Sequence, residues 1–348
     1  MKQGLTDIRA LAQKIHDQQE QKRDYIVRAN ALEMTDDGKL DVGGGVAGHG
    51  AHDVNDHTHD QLAAWTGIGG RYYDAMKAQA PKLLQNNVNH WLKASNDTRM
   101  VRTFSNGSRT ARAFLSDRYA ILDNEVIAGH SLEALADLGN IEFASSEITN
   151  KRLYIKMIFP WLEGEVSPGD VVKAGVVIAN SEVGAGAAYV DLLLWRQVCT
   201  NGAIVQTGLR RAHLGGRHED GMIYAADTQT ADARAFGLKV RDMVKLAASK
   251  ERFSDLLAQM KQANAQKVEA EPVKVIERIG KAYGFNDGER DSILRHLVEG
   301  GSLNRWGYVN AVTRTAEDVA SYDRATDMER AGGDLITMPQ TQFARLAA

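Results

Sequence analysis

Apolar positions along this chain change their period twice. Ile8, Leu11 and Ile15 recur at helical spacing between Thr6 and about Arg23, with Thr6 or Asp7 placed to cap the helix. Asp24 to Thr35 then reads as a strand that stops at Asp36-Asp37-Gly38, a turn signal, so a small N-terminal hairpin is expected. The run Gly43-Gly-Gly-Val-Ala-Gly-His-Gly50 is too rich in glycine for regular structure and reads as a flexible loop. From His57 to Lys93 three apolar sets return to helical spacing, separated by Gly67, Gly69-Gly70 and Pro81.

Between Met100 and Gly221 the pattern becomes alternating or consists of short apolar runs, among them Leu153 to Phe159, Val171 to Ile178 and Tyr189 to Trp195. These predict strands, with one helix from about Glu125 to Leu138 inserted among them. Beyond Asp227 the spacing is helical again, broken at Pro272 and Phe285-Asn-Asp-Gly288, and an amphipathic helix is expected over Thr315 to Gly332. The predicted fold class is α+β: a central, mainly antiparallel sheet with an inserted helix, flanked by N-terminal and C-terminal helical regions. The expected organisation is an N-terminal helix and hairpin (1–42), a Gly/His loop (43–56), a helical segment (57–93), a β-rich core (94–222), a C-terminal helical region (223–335) and a tail (336–348).

Composition narrows the class without naming it. The chain has 348 residues, enough for one large or two ordinary domains. Its one cysteine, Cys199, excludes an internal disulfide and lies in an apolar run as a small buried hydrophobe. No signal-peptide core and no long apolar span occur, so a cytoplasmic protein with no membrane partner is expected. A formal net charge of −3 means that any charge-driven binding comes from local patches.

Three basic groups supply such patches. Arg99, Arg102, Arg109, Arg112 and Arg118 form the first; Phe104 and Phe114 lie two residues beyond Arg102 and Arg112, and Tyr119 closes the segment. Guanidinium forks match phosphate oxygens, and a cationic strand face with aromatic rings suits a single-stranded nucleic acid. Pairing of the same arginines with Asp97, Asp117, Asp123 or Glu125, over a phenylalanine core, is the competing reading. Lys151, Arg152 and Lys156 form the second group. Arg210, Arg211, His213, Arg217 and His218 form the third, with Glu219 and Asp220 offsetting part of its charge.

Other features are weighed the same way. His49, His52, His57 and His59, interleaved with Asp53, Asp56 and Asp60, have ligand chemistry but no zinc spacing; a solvated loop with Asp56 or Thr58 as a helix cap is the competing reading. Gln61 to Met76 has the outline of a helix-turn-helix or of two ordinary packed helices. Gly184-Ala-Gly-Ala-Ala188 lacks the context of a phosphate loop, and Ser116, Asp117 and Tyr119 read as a turn, because no histidine base accompanies them. No catalytic residue, metal site or cofactor is assigned.

Several motifs, taken in order, carry a resemblance: Gln61-Leu, Gly67-Ile with Tyr72-Tyr73, Pro81, Asn87-Val-Asn-His-Trp-Leu92, Arg112-Ala-Phe-Leu-Ser-Asp-Arg-Tyr119, Cys199-Thr-Asn-Gly202 and Trp306-Gly-Tyr-Val-Asn-Ala-Val-Thr313. Over roughly residues 55 to 335 the chain resembles a phage/plasmid-like protein family known chiefly as a domain of unknown function. The resemblance implies a mobile-element origin among DNA replication and recombination genes, and no established catalytic residues. The chain is also distantly similar to Rad52-like annealing proteins, which bind single-stranded DNA along a groove and form rings. The resulting expectation is a non-enzymatic protein that binds single-stranded DNA, promotes annealing or recombination and forms a homo-oligomer. A metal-dependent enzyme using the His49 to His59 loop and a structural or host-interaction assembly protein are the alternatives.

Overall fold

The computed structural model describes residues 1–43, 50–105, 107–212 and 226–348. Helix α1 (Ile8–Gln21) begins where the Asp7 carboxylate accepts the Arg9 amide at 2.9 Å, and β1 (Lys22–Arg28) follows it directly. The predicted hairpin is β2 (Glu33–Met34) with β3 (Leu40–Asp41), turning through Gly38 at φ +79°, where the absence of a side chain matters. Strand β4 (Ala51–Val54) leads to α2 (Asp56–Thr66), which is capped by Asn55 rather than by Asp56 or Thr58: the Asn55 side-chain oxygen accepts the Thr58 amide at 2.8 Å. Helices α3 (Gly70–Gln79) and α4 (Pro81–Ala94) are separated by the glycine and proline breaks that the sequence marks.

Strands β5 (Thr98–Ser105) and β6 (Arg109–Ser116) pair antiparallel and complete a six-stranded sheet in the order β1-β5-β6-β4-β3-β2, in which β4 and β6 run parallel. Helices α2 to α4 cover one face, burying Leu62, Tyr73, Met76, Leu84, Val88 and Leu92 against Val101, Ala111 and Phe114. Helix α5 (Asn124–Leu138) is the expected helix, but it joins two sheets instead of interrupting one.

The second sheet is a five-stranded antiparallel meander in the order β11-β10-β9-β8-β7, built from β7 (Glu142–Ile148), β8 (Leu153–Glu165), β9 (Val171–Asn180), β10 (Ala188–Arg196) and β11 (Asn201–Arg211). The single central sheet of the sequence reading is therefore two, because β5 pairs with β1, and β6 with β4 of the short N-terminal strands. Alternation gives the second sheet two buried faces. Ile155, Met157, Phe159, Val176, Ile178, Val190, Leu192 and Leu194 face the main core. Tyr154, Ile158, Val177, Tyr189, Leu193 and Ile204 face the other way.

The remaining helices are α6 (Ala226–Ala247), α7 (Lys250–Ala265), α8 (Pro272–Tyr283), α9 (Asp287–Gly300), α10 (Arg305–Thr315), α11 (Tyr322–Thr337) and α12 (Gln340–Ala347). The helix expected over 315–332 breaks at Ala316 and restarts at Tyr322, capped by Ser321. Helix α11 lies on the second sheet: a Cβ at Gly333 would stand 2.0 Å from the Ile204 carbonyl oxygen, so only glycine permits that approach. The segment expected as a tail is ordered helix, since Phe343 is fully buried with the Arg305 guanidinium 4.9 Å above its ring. Burial of that side chain contributes roughly 2–3 kcal/mol. Among the described residues no helix is long and apolar enough to cross a membrane.

Candidate functional site

The first basic group is taken up by the junction between the two sheets. Arg102 faces Asp24 across the β1–β5 ladder, and its Nε and Nη2 donate to both Asp24 oxygens at 2.8 and 2.7 Å. Its Nη1 donates to the Glu182 carbonyl at 3.0 Å and stands 3.3 Å from Asp123, which also pairs with Lys22 at 2.6 Å. Burial opposes the charge of Arg102, yet the Asp24 hydrogen bonds and the surrounding carboxylates together outweigh it and hold the guanidinium above its ordinary range. Arg112 is buried over the Phe104 ring at 4.0 Å, with Nη1 3.9 Å from Glu182; burial lowers its pKa to about 10.

The expected strand-face groove of Arg102, Arg112, Phe104, Phe114 and Tyr119 is therefore corrected. Both phenylalanines are buried, and the Tyr119 hydroxyl donates to the Ser181 carbonyl at 2.7 Å. Arg99 pairs with Asp97 at 2.8 Å and lies over Trp65 and Phe114. Arg109 and Arg118 stay outside the junction, but Arg109 opens β6 and Arg118 lies in the turn after it, with a strand of about 23 Å between. The Tyr119 amide bonds back to the Ser116 carbonyl at 3.0 Å, which makes residues 116–119 the turn that the sequence predicts.

The three described histidines of this stretch, His52, His57 and His59, go to separate buried contacts. His57 Nε2 lies 2.8 Å from the Val183 carbonyl, His52 Nδ1 2.6 Å from the Gly50 carbonyl, and His59 Nδ1 3.0 Å from the Tyr73 hydroxyl. Burial lowers the pKa of all three, and that of His59 to about 4. Among the described residues no group of three or more His, Cys, Asp or Glu can hold a metal ion. His49, His213, Arg217 and His218 lie outside the described residues.

The second and third basic groups partly converge. Tyr189 faces Arg210 across the β10–β11 ladder, and three guanidiniums surround its ring: Arg330 at 3.9 Å, Arg210 at 4.8 Å and Arg152 at 5.9 Å. Asp191, fully buried two residues along β10, accepts from Arg330 at 2.7 Å and from Arg210 at 3.0 Å. Arg152 donates instead to the Ala185 and Ala187 carbonyls at 2.5 and 3.1 Å, and two further carboxylates lie within electrostatic reach of the trio, Asp327 near Arg330 and Arg152 and Asp334 near Arg330 and Arg210. Burial raises the pKa of Asp327 and of Asp334, against the pull of these arginines. Lys151, adjacent in sequence, is half exposed and 3.5 Å from Asp60.

Two predicted members leave this group. Lys156 is fully buried and pairs with the equally buried Glu329 beneath Tyr322, whose ring is 4.6 Å from the ammonium. Arg211 points to Asp232 at 2.5 Å and to the Phe236 ring. Sequence reasoning missed Arg330, Tyr189 and Asp191. Arg330 is separated from Arg210 by the whole helical region, and the only local cue was the small pair Gly332-Gly333, which lets α11 reach the sheet.

The molecule is thus an α+β protein of two sheets with a guanidinium cluster on the second. It belongs to a family described as a domain of unknown function (DUF932), whose model matches residues 112–341. The match begins in β6 and contains the whole Tyr189 cluster. No curated protein and no solved structure matches the chain.

Proposed function

We propose that the chain is a DNA-metabolism protein that holds single-stranded DNA by its phosphates at the Tyr189 cluster. The observation that carries this reading is the gathering of three guanidiniums, Arg152, Arg210 and Arg330, around the Tyr189 ring, with Arg210 and Arg330 partly exposed; Lys151, next in sequence to Arg152, is also exposed and reaches toward Asp60. Clustered guanidiniums at a partly exposed surface are the chemistry that exchanges counterions for phosphate oxygens. Tyr189 is buried beneath the arginines, so the contact is to the backbone and independent of base sequence. Strand annealing or recombination by a homo-oligomer, in a phage- or plasmid-borne setting, is the finer form of the same reading.

Fluorescence anisotropy with a labelled single-stranded oligonucleotide, a duplex control and a salt series tests it. Salt-sensitive binding that prefers the single strand and weakens in Lys151→Ala/Arg210→Ala is expected. Absence of binding at low salt would leave the cluster a structural device and sink the proposal.

A further inference from the structure

A cavity of about 340 Å³ lies at the opposite end of β10 from Tyr189, between the turn before β9, the β10–β11 turn and helices α9 and α10. Two segments far apart in sequence, Cys199-Thr-Asn-Gly202 and Trp306 to Thr313, meet beside it: Asn201 Nδ2 donates to Thr313 Oγ1 at 2.5 Å and to Asn310 Oδ1 at 3.3 Å. The β10–β11 turn is held through Thr200 at φ +53°, the one non-glycine residue among those described with a positive φ. Cys199, Asn310 and Trp306 line the wall.

We infer that this cavity binds a compact organic anion through Arg196 and Arg314. Arg196 comes from β10 and Arg314 from α10, and both side chains line the cavity. The one carboxylate in the lining, Asp170, is fully used: one oxygen accepts Arg196 Nε at 2.5 Å and the other the Trp306 indole N–H at 2.8 Å. Arg196 Nη1 donates to the Cys199 sulfur at 3.1 Å, and its Nη2 has no partner among the described residues. Arg314 meets Glu299 through Nη1 at 3.2 Å, outside the lining. Each guanidinium thus spends one edge on a carboxylate, Asp170 in the wall or Glu299 outside it, and Arg196 Nη2 remains for a ligand. The cavity is at the small end of ligand sites, and a phosphoryl or carboxyl group between the two guanidiniums completes their hydrogen bonding.

Cys199 is the only cysteine of the chain, is half-buried and lines the same wall, so it reports occupancy. The test is the rate of Cys199 alkylation by iodoacetamide, read as intact mass. The probes are inorganic phosphate, deoxyadenosine monophosphate and succinate, with potassium chloride at matched ionic strength as control. Arg314→Ala is the variant, because that side chain is 38 % exposed and its removal leaves the Asp170 contacts intact. Saturable protection by at least one probe, absent with chloride, is expected. Without the charged hydrogen bond from Arg314, the half-protecting concentration in Arg314→Ala moves up by about tenfold or more. Protection by both phosphate compounds assigns a phosphoryl ligand, and protection by succinate alone a carboxylate. Alkylation equal in every probe and in chloride, or protection unchanged in Arg314→Ala, overturns the inference.

Discussion

The two arginine clusters of this molecule look alike in sequence and behave oppositely in the fold. At the junction between the sheets, Arg102 meets Asp24 and Asp123, Arg112 meets Glu182, and Lys22 meets Asp123. At Tyr189, two of the three arginines pair with Asp191, the third is held by backbone carbonyls, and all three gather around one ring at a partly exposed face. The same side chain is a structural bolt where it is buried with its carboxylates and stays open to solvent and solutes where it is not. Counting arginines along a strand cannot separate the two cases; the burial that the fold gives them does.

The largest effects should come from breaking the bolts. Arg102→Met leaves the Asp24 and Asp123 carboxylates facing a buried apolar group, and should cost about 3–5 kcal/mol of unfolding free energy by urea titration. Lys156→Met should cost a similar amount, because the buried Glu329 carboxyl would lose its partner; Lys156→Met/Glu329→Met should recover most of it. If the double variant is no more stable than the single, the pair does more than neutralise itself.

Acid should act on the first sheet next. His59 is held below its ordinary 6.5, at about 4, so the unfolded chain binds the proton more readily between those values. Stability from the neutral ring is complete above about pH 6.5 and is lost as pH falls toward 4, on the order of 3 kcal/mol. Thermal melts across that range should show the slope, and His59→Gln should flatten it. A profile unaltered by the substitution would mean that His59 is not buried neutral. Smallest on stability is Lys151→Ala/Arg210→Ala, at about 1 kcal/mol or less, since Arg330 keeps Asp191 paired and Lys151 is exposed.

Much of the architecture was legible because short-range physics wrote it. The breaks at Gly67 and Pro81, the Asp36-Asp37-Gly38 turn, the α5 helix and the β meander all follow from local periodicity and turn chemistry. The split into two sheets was not, because it depends on β1 pairing with β5, far along the chain, and on β4 lying parallel to β6. Buried histidines escaped the sequence reading for a similar reason. Polar rings in a glycine-rich stretch suggest solvent, whereas His57 and Gln61 both bond the Val183 carbonyl in the loop between β9 and β10. Cys199, expected inside an apolar run, instead lines a cavity because the β10–β11 turn carries it to the edge of the sheet. Of the second and third basic groups, Arg152 and Arg210 converge on Tyr189, while Lys156 and Arg211 are drawn off by Glu329 and Asp232.

The most direct test of the contrast is the slope of log affinity against log salt for a single-stranded oligonucleotide. It should be measured in the wild type, in Lys151→Ala/Arg210→Ala and in Arg109→Ala/Arg118→Ala. Removing one cation from a phosphate lowers the slope by about 0.7 for a single strand, so the Tyr189-side variant should fall by roughly 1.4 and the first-sheet variant should keep the wild-type slope. A slope that falls only in Arg109→Ala/Arg118→Ala would place the binding surface on the first sheet and contradict the account.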